Sequence, residues 1–236
     1  MILHPTSPYK AVFFDAGDTL LTVPGARETM RRYFAEREFH RTDTEIGDSF
    51  DAAFRLLYYN KPVLGNELCS PESDRLFWVK LYRHMLDDLA AAGHAEEETL
   101  HRWCHELYDL FVSPEQYVLF EDVRETLERL QALGYRMAIV SNFAPTLRHI
   151  LKYMEIDYYF DPIIVSTEVG LEKPNPAIFQ LALEQSGLPA SQVLYVGDHD
   201  QNDIWAPGQV GIQAVKIKRY AYHQGDGIHS LRELLG

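Results

Sequence analysis

Residues 10–21 read KAVFFDAGDTLL, and the rest of the chain can be interpreted outward from them. The first part, KAVFF, is a compact apolar run of the kind that forms a buried β-strand. The run ends at Asp15, and the residues DAGDT that begin there are typical of a loop. The stretch therefore predicts a strand whose carboxyl end carries a short acidic loop.

Four more apolar runs of this type occur in the second half of the chain. Segments with helical patterns separate them, so that strands and helices alternate. Such alternation predicts an α/β fold, with a doubly wound parallel sheet and helices on both of its faces. The four runs are MAIVS (137–141), PIIVS (162–166), VLYVG (193–197) and QAVKI (213–217).

One helix of this second half has both a start signal and a stop signal. Asp122 and Glu125 resemble a capping box, in which two side chains bond to backbone N–H groups at the start of a helix. Leucines at helical spacing follow, and Gly134 is a residue type that commonly ends a helix. We therefore expect a helix that begins at Asp122 and stops at Gly134.

The residues between the first strand and this region follow a helical pattern instead. Prolines and glycines divide the stretch from Pro24 to Ser113 into about four helices, and no segment in it combines strand and turn signals. The sequence thus predicts two domains. Residues 1–22 and 115–236 form the core with the sheet, and residues 23–114 form a helical insertion after the first strand.

Composition and charge limit the partners that the chain can have. Of its 236 residues, 46% are hydrophobic and 24% are charged, which is ordinary for a globular protein. The 22 basic and 35 acidic residues give a net charge of −13, so we expect no nucleic-acid partner. No apolar run reaches the ~18 residues of a membrane-spanning helix, and the first residues do not resemble a signal peptide. With Cys69 and Cys104 as the only cysteines, the sequence favours a cytoplasmic protein with no membrane partner.

Polar side chains follow the predicted strands at the edge of the sheet where ligands bind in doubly wound folds. Carboxylates at this edge can hold a hard cation such as Mg²⁺, and a hydroxyl and a lysine can bind a phosphoryl group. A carboxylate whose charge a metal screens can also act as a nucleophile, so the set indicates phosphoryl transfer. The candidate residues are Asp15 after the first strand, Ser141 and Asn142 after the second, Lys173 after the third, and Asp198 with Asp203 after the fourth.

Four segments around these residues carry a resemblance to a known family. They are FFDAGDTLL (13–21), IVSN (139–142), VGLEKPNPAIF (169–179) and VGDHDQND (196–203). Together they resemble the four motifs of the haloacid dehalogenase superfamily, in the branch whose helical cap domain follows the first motif. The resemblance implies a Rossmann-like core and a Mg²⁺-dependent phosphatase that hydrolyses a small phosphorylated metabolite through an aspartyl-phosphate. It leaves open whether the protein is a monomer or a homodimer.

The resemblance also implies a role for each candidate residue. Asp15 would be the nucleophile. Ser141 and Lys173 would take part in catalysis, and both would bind the phosphoryl group together with Asn142. The metal ligands implied are Asp15, the backbone carbonyl of Gly17, Asp198 and Asp203.

Gly17 departs from the pattern of the phosphatases in this family. They usually carry a second Asp at this position, which protonates the leaving group and then activates water. General acid–base help of this kind is worth about 10²- to 10⁴-fold in rate. Either phosphate hydrolysis is slow here, or the leaving group needs no proton, or another group such as His199, Asp200 or a residue of the cap supplies it.

Three other functions stay open at this point. A 2-haloacid dehalogenase needs no proton for its leaving halide, but such enzymes lack the metal-binding Gly-Asp pair that this chain keeps as Gly197 and Asp198. A phosphonatase needs a lysine in the cap, where the sequence offers Lys61 and Lys80. A binding or regulatory protein with little turnover would also tolerate glycine at position 17.

Overall fold

The computed structural model of the protein describes residues 3–4, 6–58 and 69–236. Lys61, one of the two lysines named for a phosphonatase, lies outside the described residues. The described residues form two compact units. The first unit contains the residues up to 22 and from 117 onward, with residues 69 and 70, and the second contains residues 23–58 and 71–116.

The second unit is helical in its described part. Its helices are α1 (Ala26–Ala35), α2 (Asp43–Tyr58), α3 (Pro71–Asp88) and α4 (Glu97–Phe111). Buried apolar side chains of all four helices form one hydrophobic core, with Phe34, Met85 and Leu107 fully buried in it. Helices that each bury one apolar face account for the helical spacing seen in the sequence.

The first unit is built around a parallel sheet. Five of its strands lie in the order β5-β4-β1-β6-β7, so β1 is central and pairs with β4 on one side and β6 on the other. This arrangement confirms the predicted α/β fold. The strands are β1 (Ala11–Phe14), β2 (Leu21–Thr22), β3 (Val118–Leu119), β4 (Arg136–Ser141), β5 (Phe160–Val165), β6 (Val193–Gly197) and β7 (Gln213–Lys216).

Helices cover both faces of this sheet. Because side chains alternate along a strand, Val12 and Phe14 pack on one face with apolar residues of α5 and α6. Ala11 and Phe13 pack on the other face with apolar residues of α8. The helices of the first unit are α5 (Val123–Ala132), α6 (Leu147–Tyr153), α7 (Ser166–Val169), α8 (Ala177–Ser186) and α9 (Ala206–Gly208).

The expected capping box at the start of α5 is wrong. Helix α5 does follow Asp122, but the Asp122 side chain makes no capping hydrogen bond. Its Oδ2 instead accepts hydrogen bonds from Arg219 Nη1 at 2.8 Å, Ser230 Oγ at 2.8 Å and the backbone N–H of Leu231 at 2.7 Å. These partners come from the C-terminal part of the chain, so a local pattern does not reveal them.

A second, two-stranded sheet lies where the chain leaves the first unit and returns to it. Strands β2 and β3 pair antiparallel, with Leu21 opposite Leu119 and Thr22 opposite Val118. Strands of two residues are too short to produce a recognisable pattern, and the sequence analysis did not predict them. None of the described helices is long and apolar enough to cross a membrane.

Candidate active site

Strand β1 delivers Asp15 to the carboxyl edge of the sheet. The backbone N–H of Asp15 donates to the carbonyl oxygen of Val196 in β6 at 2.9 Å, which continues the sheet ladder by one residue. The Thr19 hydroxyl lies 3.4 Å from Asp15 Oδ2 and donates to it. Asp15 is only 7% exposed. Its carboxylate is therefore held by the fold at the centre of the edge where ligands bind.

Asp198 and Asp203 join Asp15 in one acidic cluster. Each of the three offers a carboxylate oxygen, and these oxygens lie within 4.8 Å of one another. Asp198 follows β6 directly, and Asp203 lies in a turn of π-helix over Asp200–Trp205. A Cβ at Gly197 would lie only 2.5 Å from Asp203 Cβ, so glycine at this position allows the Asp203 side chain to approach β6. Three carboxylates at this spacing form a set of oxygen ligands that suits a divalent cation.

Lys173 connects two members of the cluster. Its Nζ donates hydrogen bonds to Asp15 Oδ1 and to Asp203 Oδ1, both at 2.7 Å, and to the Tyr195 hydroxyl at 3.1 Å. The Asn142 side chain holds the Lys173 backbone, accepting from its N–H at 2.7 Å and donating to its carbonyl at 2.8 Å. All three protons of the Lys173 ammonium group therefore have partners, and its position is fixed.

The pKa values in the cluster reflect an excess of negative charge in a buried place. Burial, together with the nearby carboxylates of Asp203 and Asp15, raises the pKa of Asp198 to about 9. Burial likewise raises the pKa of Asp15 to about 6, although Lys173 opposes the shift. Burial lowers the pKa of Lys173, but the two carboxylates outweigh it and raise that pKa above its usual value. One lysine does not balance three carboxylates, and a bound divalent cation would remove the imbalance.

The loop after β1 has room for a side chain at Gly17. A Cβ built on Gly17 meets no described heavy atom within 4 Å, and the φ angle of Gly17 is not in the left-handed region. The next residue, Asp18, does adopt the left-handed conformation, with φ of 51°. Its Oδ1 accepts hydrogen bonds from the Tyr220 hydroxyl at 2.9 Å and from the Thr22 hydroxyl at 3.3 Å. The Asp18 carboxylate thus has structural partners.

The candidate residues from the sequence meet at one edge of the sheet, but not all of them touch. Hydrogen bonds join Asp15, Lys173 and Asp203, and Asn142 is bonded to the backbone of Lys173. Ser141 ends β4 next to the central strand and is buried, and it lies outside that bonded set, as Gly17 does.

The two alternative proton donors named after the fourth strand have structural contacts. His199 Nδ1 accepts hydrogen bonds from the backbone N–H groups of Gln201 and Asn202, each at 3.2 Å, and so caps the π-helix. Asp200 Oδ1 accepts a hydrogen bond from Lys216 Nζ at 2.6 Å. Both side chains therefore help to fix the loop that carries Asp198.

Sequence reasoning missed several residues at this edge. Tyr195 is fully buried in β6, and its hydroxyl lies 3.0 Å from both Asp203 Oδ1 and the carbonyl oxygen of Val140. A tyrosine within an otherwise apolar strand is a usable signal, because a buried hydroxyl needs a partner. Arg219, Tyr220 and His223 follow the last strand, where the sequence carried no motif. The His223 Nε2 atom lies 3.6 Å from Asp198 Oδ2.

Comparisons with known proteins identify relatives of the whole chain. The chain is 33% identical over 215 residues to haloacid dehalogenase-like hydrolase domain-containing protein 3 of Danio rerio, an alignment that covers 90% of this chain and 86% of that protein. It is 30% identical over 218 residues to a glyceraldehyde 3-phosphate phosphatase of Methanopyrus kandleri, with 90% and 85% covered. The magnesium-bound structure of the HAD-hydrolase YfnB from Bacillus subtilis superposes with a TM-score of 0.76 at 19% identity, over 96% of each chain.

The family assignment rests on the sequence match as well as on the fold. The family model of haloacid dehalogenase-like hydrolases matches residues 9–211, which include all four strand ends that carry the candidate residues. The resemblance drawn from the motifs is thereby confirmed, and so is the expectation of a hydrolase. The chain belongs to the haloacid dehalogenase-like hydrolases.

Proposed function

We propose that the protein is a Mg²⁺-dependent phosphatase that hydrolyses a small phosphorylated metabolite through an aspartyl-phosphate on Asp15. The observation that carries this proposal is the contact set of Asp15, whose carboxylate lies beside those of Asp198 and Asp203 and accepts a hydrogen bond from Lys173. The name of the Methanopyrus kandleri relative, a glyceraldehyde 3-phosphate phosphatase, supports the same reaction class. We place the enzyme in the cytoplasm, as a monomer or a homodimer.

The donor set suits Mg²⁺, because hard divalent cations prefer carboxylate and carbonyl oxygens. The ion would be held by the carboxylates of Asp15, Asp198 and Asp203 and by the Gly17 carbonyl. The raised pKa of Asp198 is consistent with a buried carboxylate cluster whose negative charge a cation would balance. When bound, Mg²⁺ supplies positive charge that screens the phosphate from the carboxylates.

The side chains of the protein account for the bond changes. The Asp15 carboxylate attacks phosphorus, the bond from phosphorus to the leaving oxygen breaks, and the electron pair departs with that oxygen. Lys173 keeps Asp15 oriented and offsets negative charge, while Ser141 and Asn142 donate hydrogen bonds to the phosphoryl oxygens. Water then attacks phosphorus and gives up a proton, which balances the proton taken up by the leaving oxygen. The bond to Asp15 breaks, its electron pair returns to the carboxylate, and phosphate leaves. We take the helical residues 23–114 as the cap domain, which supplies the residues that select the substrate.

A substrate panel with nucleophile variants tests the proposal. We expect turnover of phosphorylated metabolites with Mg²⁺ and none with a chelator, and we expect Asp15→Asn to lose roughly 10³-fold or more in kcat. In the parent, beryllofluoride should give an adduct on Asp15 that ¹⁹F NMR detects, and Asp15→Asn should give none. The exposed Glu184 on α8 provides a matched control, Glu184→Gln, which should behave as the parent does.

The same panel separates the other candidate functions. Turnover of haloacetate in chelator would indicate a dehalogenase, and turnover of phosphonoacetaldehyde would indicate a phosphonatase. Binding of a metabolite without turnover would indicate a regulatory protein. Full phosphatase activity of Asp15→Asn would show that the reaction class is wrong.

A further inference from the structure

The last residue of β7 and the segment that follows it contact both loops of the candidate active site, although no sequence motif marks these residues. Lys216 bonds to Asp200, and Arg219 and Tyr220 bond to residues of the loop after β1. His223 lies beside Asp198. Four side chains from one short segment therefore reach the loops that carry the nucleophile and the acidic cluster.

Arg219 fixes this segment in place. Its Nη2 and Nε donate to the carbonyl oxygen of Thr19 at 2.6 and 3.1 Å, and its Nη1 pairs with Asp122 at 2.8 Å. The Arg219 side chain is 5% exposed and the Asp122 side chain 2%. A buried guanidinium group that hydrogen-bonds to two partners is held rigidly, because its planar N–H groups fix the direction as well as the distance of each bond. The residue after Arg219 is thereby held against the loop.

That next residue, Tyr220, bonds to the one strained position of the loop. Asp18 has φ of 51°, a left-handed conformation that costs energy for most residues and that Asp and Asn adopt more readily than other non-glycine residues. The Tyr220 hydroxyl donates to Asp18 Oδ1 at 2.9 Å and lies 2.6 Å from the Thr22 hydroxyl. The backbone N–H of Asp18 donates to the carbonyl oxygen of Leu21 at 2.8 Å, so side-chain and backbone bonds hold this residue together. Rotation about the Asp18 backbone would turn the Gly17–Asp18 peptide, and with it the Gly17 carbonyl.

We propose that Tyr220 is a positioning residue for residues 15–19, which acts through the Asp18 carboxylate to fix Asp15 and the Gly17 carbonyl for the cation. The inference rests on the proposed function, because it assigns the loop to Mg²⁺ binding. The Tyr220 hydroxyl bonds to Asp18 and Thr22, so it would act on the cation only through the loop. Its predicted signature is therefore weaker Mg²⁺ binding with an intact fold.

The test compares Mg²⁺ binding by isothermal titration calorimetry in the parent and in Tyr220→Phe. The substitution keeps the ring contacts with Phe120 and Tyr222 and removes the hydroxyl alone. We expect about tenfold weaker Mg²⁺ binding, the size of one lost hydrogen bond to a charged group. Tyr153→Phe is the matched control, because Tyr153 on α6 is 58% exposed, and it should bind Mg²⁺ as the parent does.

Two kinetic readouts distinguish positioning from a loss of stability. In Tyr220→Phe the Mg²⁺ concentration for half-maximal rate should rise about tenfold, while kcat at saturating Mg²⁺ returns to near the parent value. A merely structural role would lower the folded fraction and kcat and leave the Mg²⁺ dependence unchanged. Thermal unfolding without Mg²⁺ measures the folded fraction directly.

A double-mutant cycle tests whether Tyr220 acts through Asp18. Asp18→Gly removes the carboxylate and takes up the left-handed conformation without strain. In that background, Tyr220→Phe should change Mg²⁺ affinity by no more than about twofold. A full additional effect in that background would overturn the proposal, because it would mean that Tyr220 acts by another route.

A second pair of variants keeps the test decisive if Tyr220→Phe does not fold. Asp18→Asn retains an acceptor oxygen and tolerates positive φ, so it should bind Mg²⁺ nearly as the parent does, whereas Asp18→Ala should bind about tenfold more weakly. Parent-like Mg²⁺ affinity in folded Tyr220→Phe or in Asp18→Ala would show that the positioning role is wrong and would leave the proposed function intact. Absence of Mg²⁺ binding in the parent would overturn both.

Discussion

At Gly17 the loop after β1 has backbone geometry that any residue can adopt and open space where a side chain would stand. The neighbouring Asp18 cannot take over, because its carboxylate accepts hydrogen bonds from Tyr220 and Thr22. Neither the backbone nor the packing therefore requires glycine at position 17, and its main consequence is the lack of an acid group there. An acid placed at position 17 would stand two residues from the nucleophile, on the same loop.

We predict that Gly17→Asp restores proton transfer to poor leaving groups. The gain should appear with alkyl phosphates and approach about 10²-fold, the lower end of general-acid effects. It should be small with p-nitrophenyl phosphate, whose phenolate leaves without a proton. The measurement is kcat/KM for the two substrate types, with folding and Mg²⁺ affinity checked in the same variant.

Gly17→Asn is the control, because it adds a side chain of the same size without an acid. It should show no selective gain for alkyl phosphates. If Gly17→Asp folds, binds Mg²⁺ and favours neither substrate type, the proton comes from elsewhere or the natural leaving group does not need one.

At the residue scale, the sequence indicated that residues within the four motifs meet at one edge of the sheet. It did not indicate that residues outside the motifs also contact that edge. Asp15, Lys173 and Asp203 follow strands β1, β5 and β6, and the structure joins them by hydrogen bonds. Tyr195 and Tyr220 could be recognised as aromatic but not as partners of the site. The Tyr195 hydroxyl contacts Lys173, which lies 22 positions earlier in the chain, and the Tyr220 hydroxyl contacts Asp18, which lies 202 positions earlier. Only the folded structure brings these partners together.

At the scale of elements, the strand ends were predictable because a buried run followed by polar residues is a strong local signal. Strand β6 matches its predicted range at both ends, and β7 ends one residue earlier than expected. Helix α5 does follow Asp122 as expected, but the capping box predicted at its start is wrong for the opposite reason. Asp122 has the composition of a capping residue, but its carboxylate is occupied by Arg219 and Ser230, about a hundred residues away.

We predict that Asp122→Ala destabilises the protein by about 3–5 kcal/mol at pH 7, because it leaves the Arg219 charge buried without its partner. Burial raises the pKa of Asp122, but hydrogen bonding and charge from Arg219 outweigh it and hold that pKa below its usual value. A carboxyl group whose pKa is lower in the folded state than in the unfolded state stabilises the protein at pH values above its unfolded pKa. This stabilisation disappears as the pH falls through the pKa of the folded state.

Urea unfolding over a pH series measures this difference. The gap between parent and Asp122→Ala should stay constant from pH 7 down to about pH 4 and shrink below it. Glu121→Gln, which alters the exposed neighbour paired with Arg232, should cost less than about 1 kcal/mol. An Asp122→Ala protein as stable as the Glu121→Gln control would contradict the anchoring role of the Asp122–Arg219 pair.

For the whole molecule, the alternation of strands and helices was enough to predict the fold, and the four strand-end motifs were enough to predict the family. What the sequence could not predict is the charge balance of the assembled site. Three carboxylates from distant positions meet in a buried place and share one lysine, so their pKa values become a property of the folded state.

We predict that Mg²⁺ stabilises the protein more at high pH than at low pH. The pKa of Asp198 is raised to about 9 in the folded protein without metal, so the folded site keeps this proton up to about pH 9. In the unfolded chain the same carboxyl group releases its proton at about pH 4. The free energy of unfolding without metal should therefore fall as the pH rises between about 4 and about 9. Mg²⁺ takes the place of the proton and offsets this loss.

Thermal unfolding with and without Mg²⁺ at pH 6 and pH 8.5 checks this prediction. At a fixed Mg²⁺ concentration, set to 100 times the Kd at pH 8.5, the ion should add about 2.7 kcal/mol at pH 8.5. It should add less at pH 6, where the proton on Asp198 competes with Mg²⁺, so the shift in Tm should be larger at the higher pH. Asp198→Asn removes the titrating group and should lose most of the shift at both pH values. Equal shifts in the parent at both pH values would show that Asp198 does not couple proton release to metal binding.

The small ladder of β2 and β3 makes the protein modular. Since Thr22 and Val118 are paired antiparallel neighbours, the chain leaves the first unit and finally returns to it at adjacent positions. Of the described residues between them, only 69 and 70 also belong to the first unit. A two-residue hairpin turn is the usual link between strands paired in this way, so a short turn could replace the segment and leave the sheet ladder unbroken. The intervening helical segment can then change in length or sequence without a shift in the register of the β2–β3 pair.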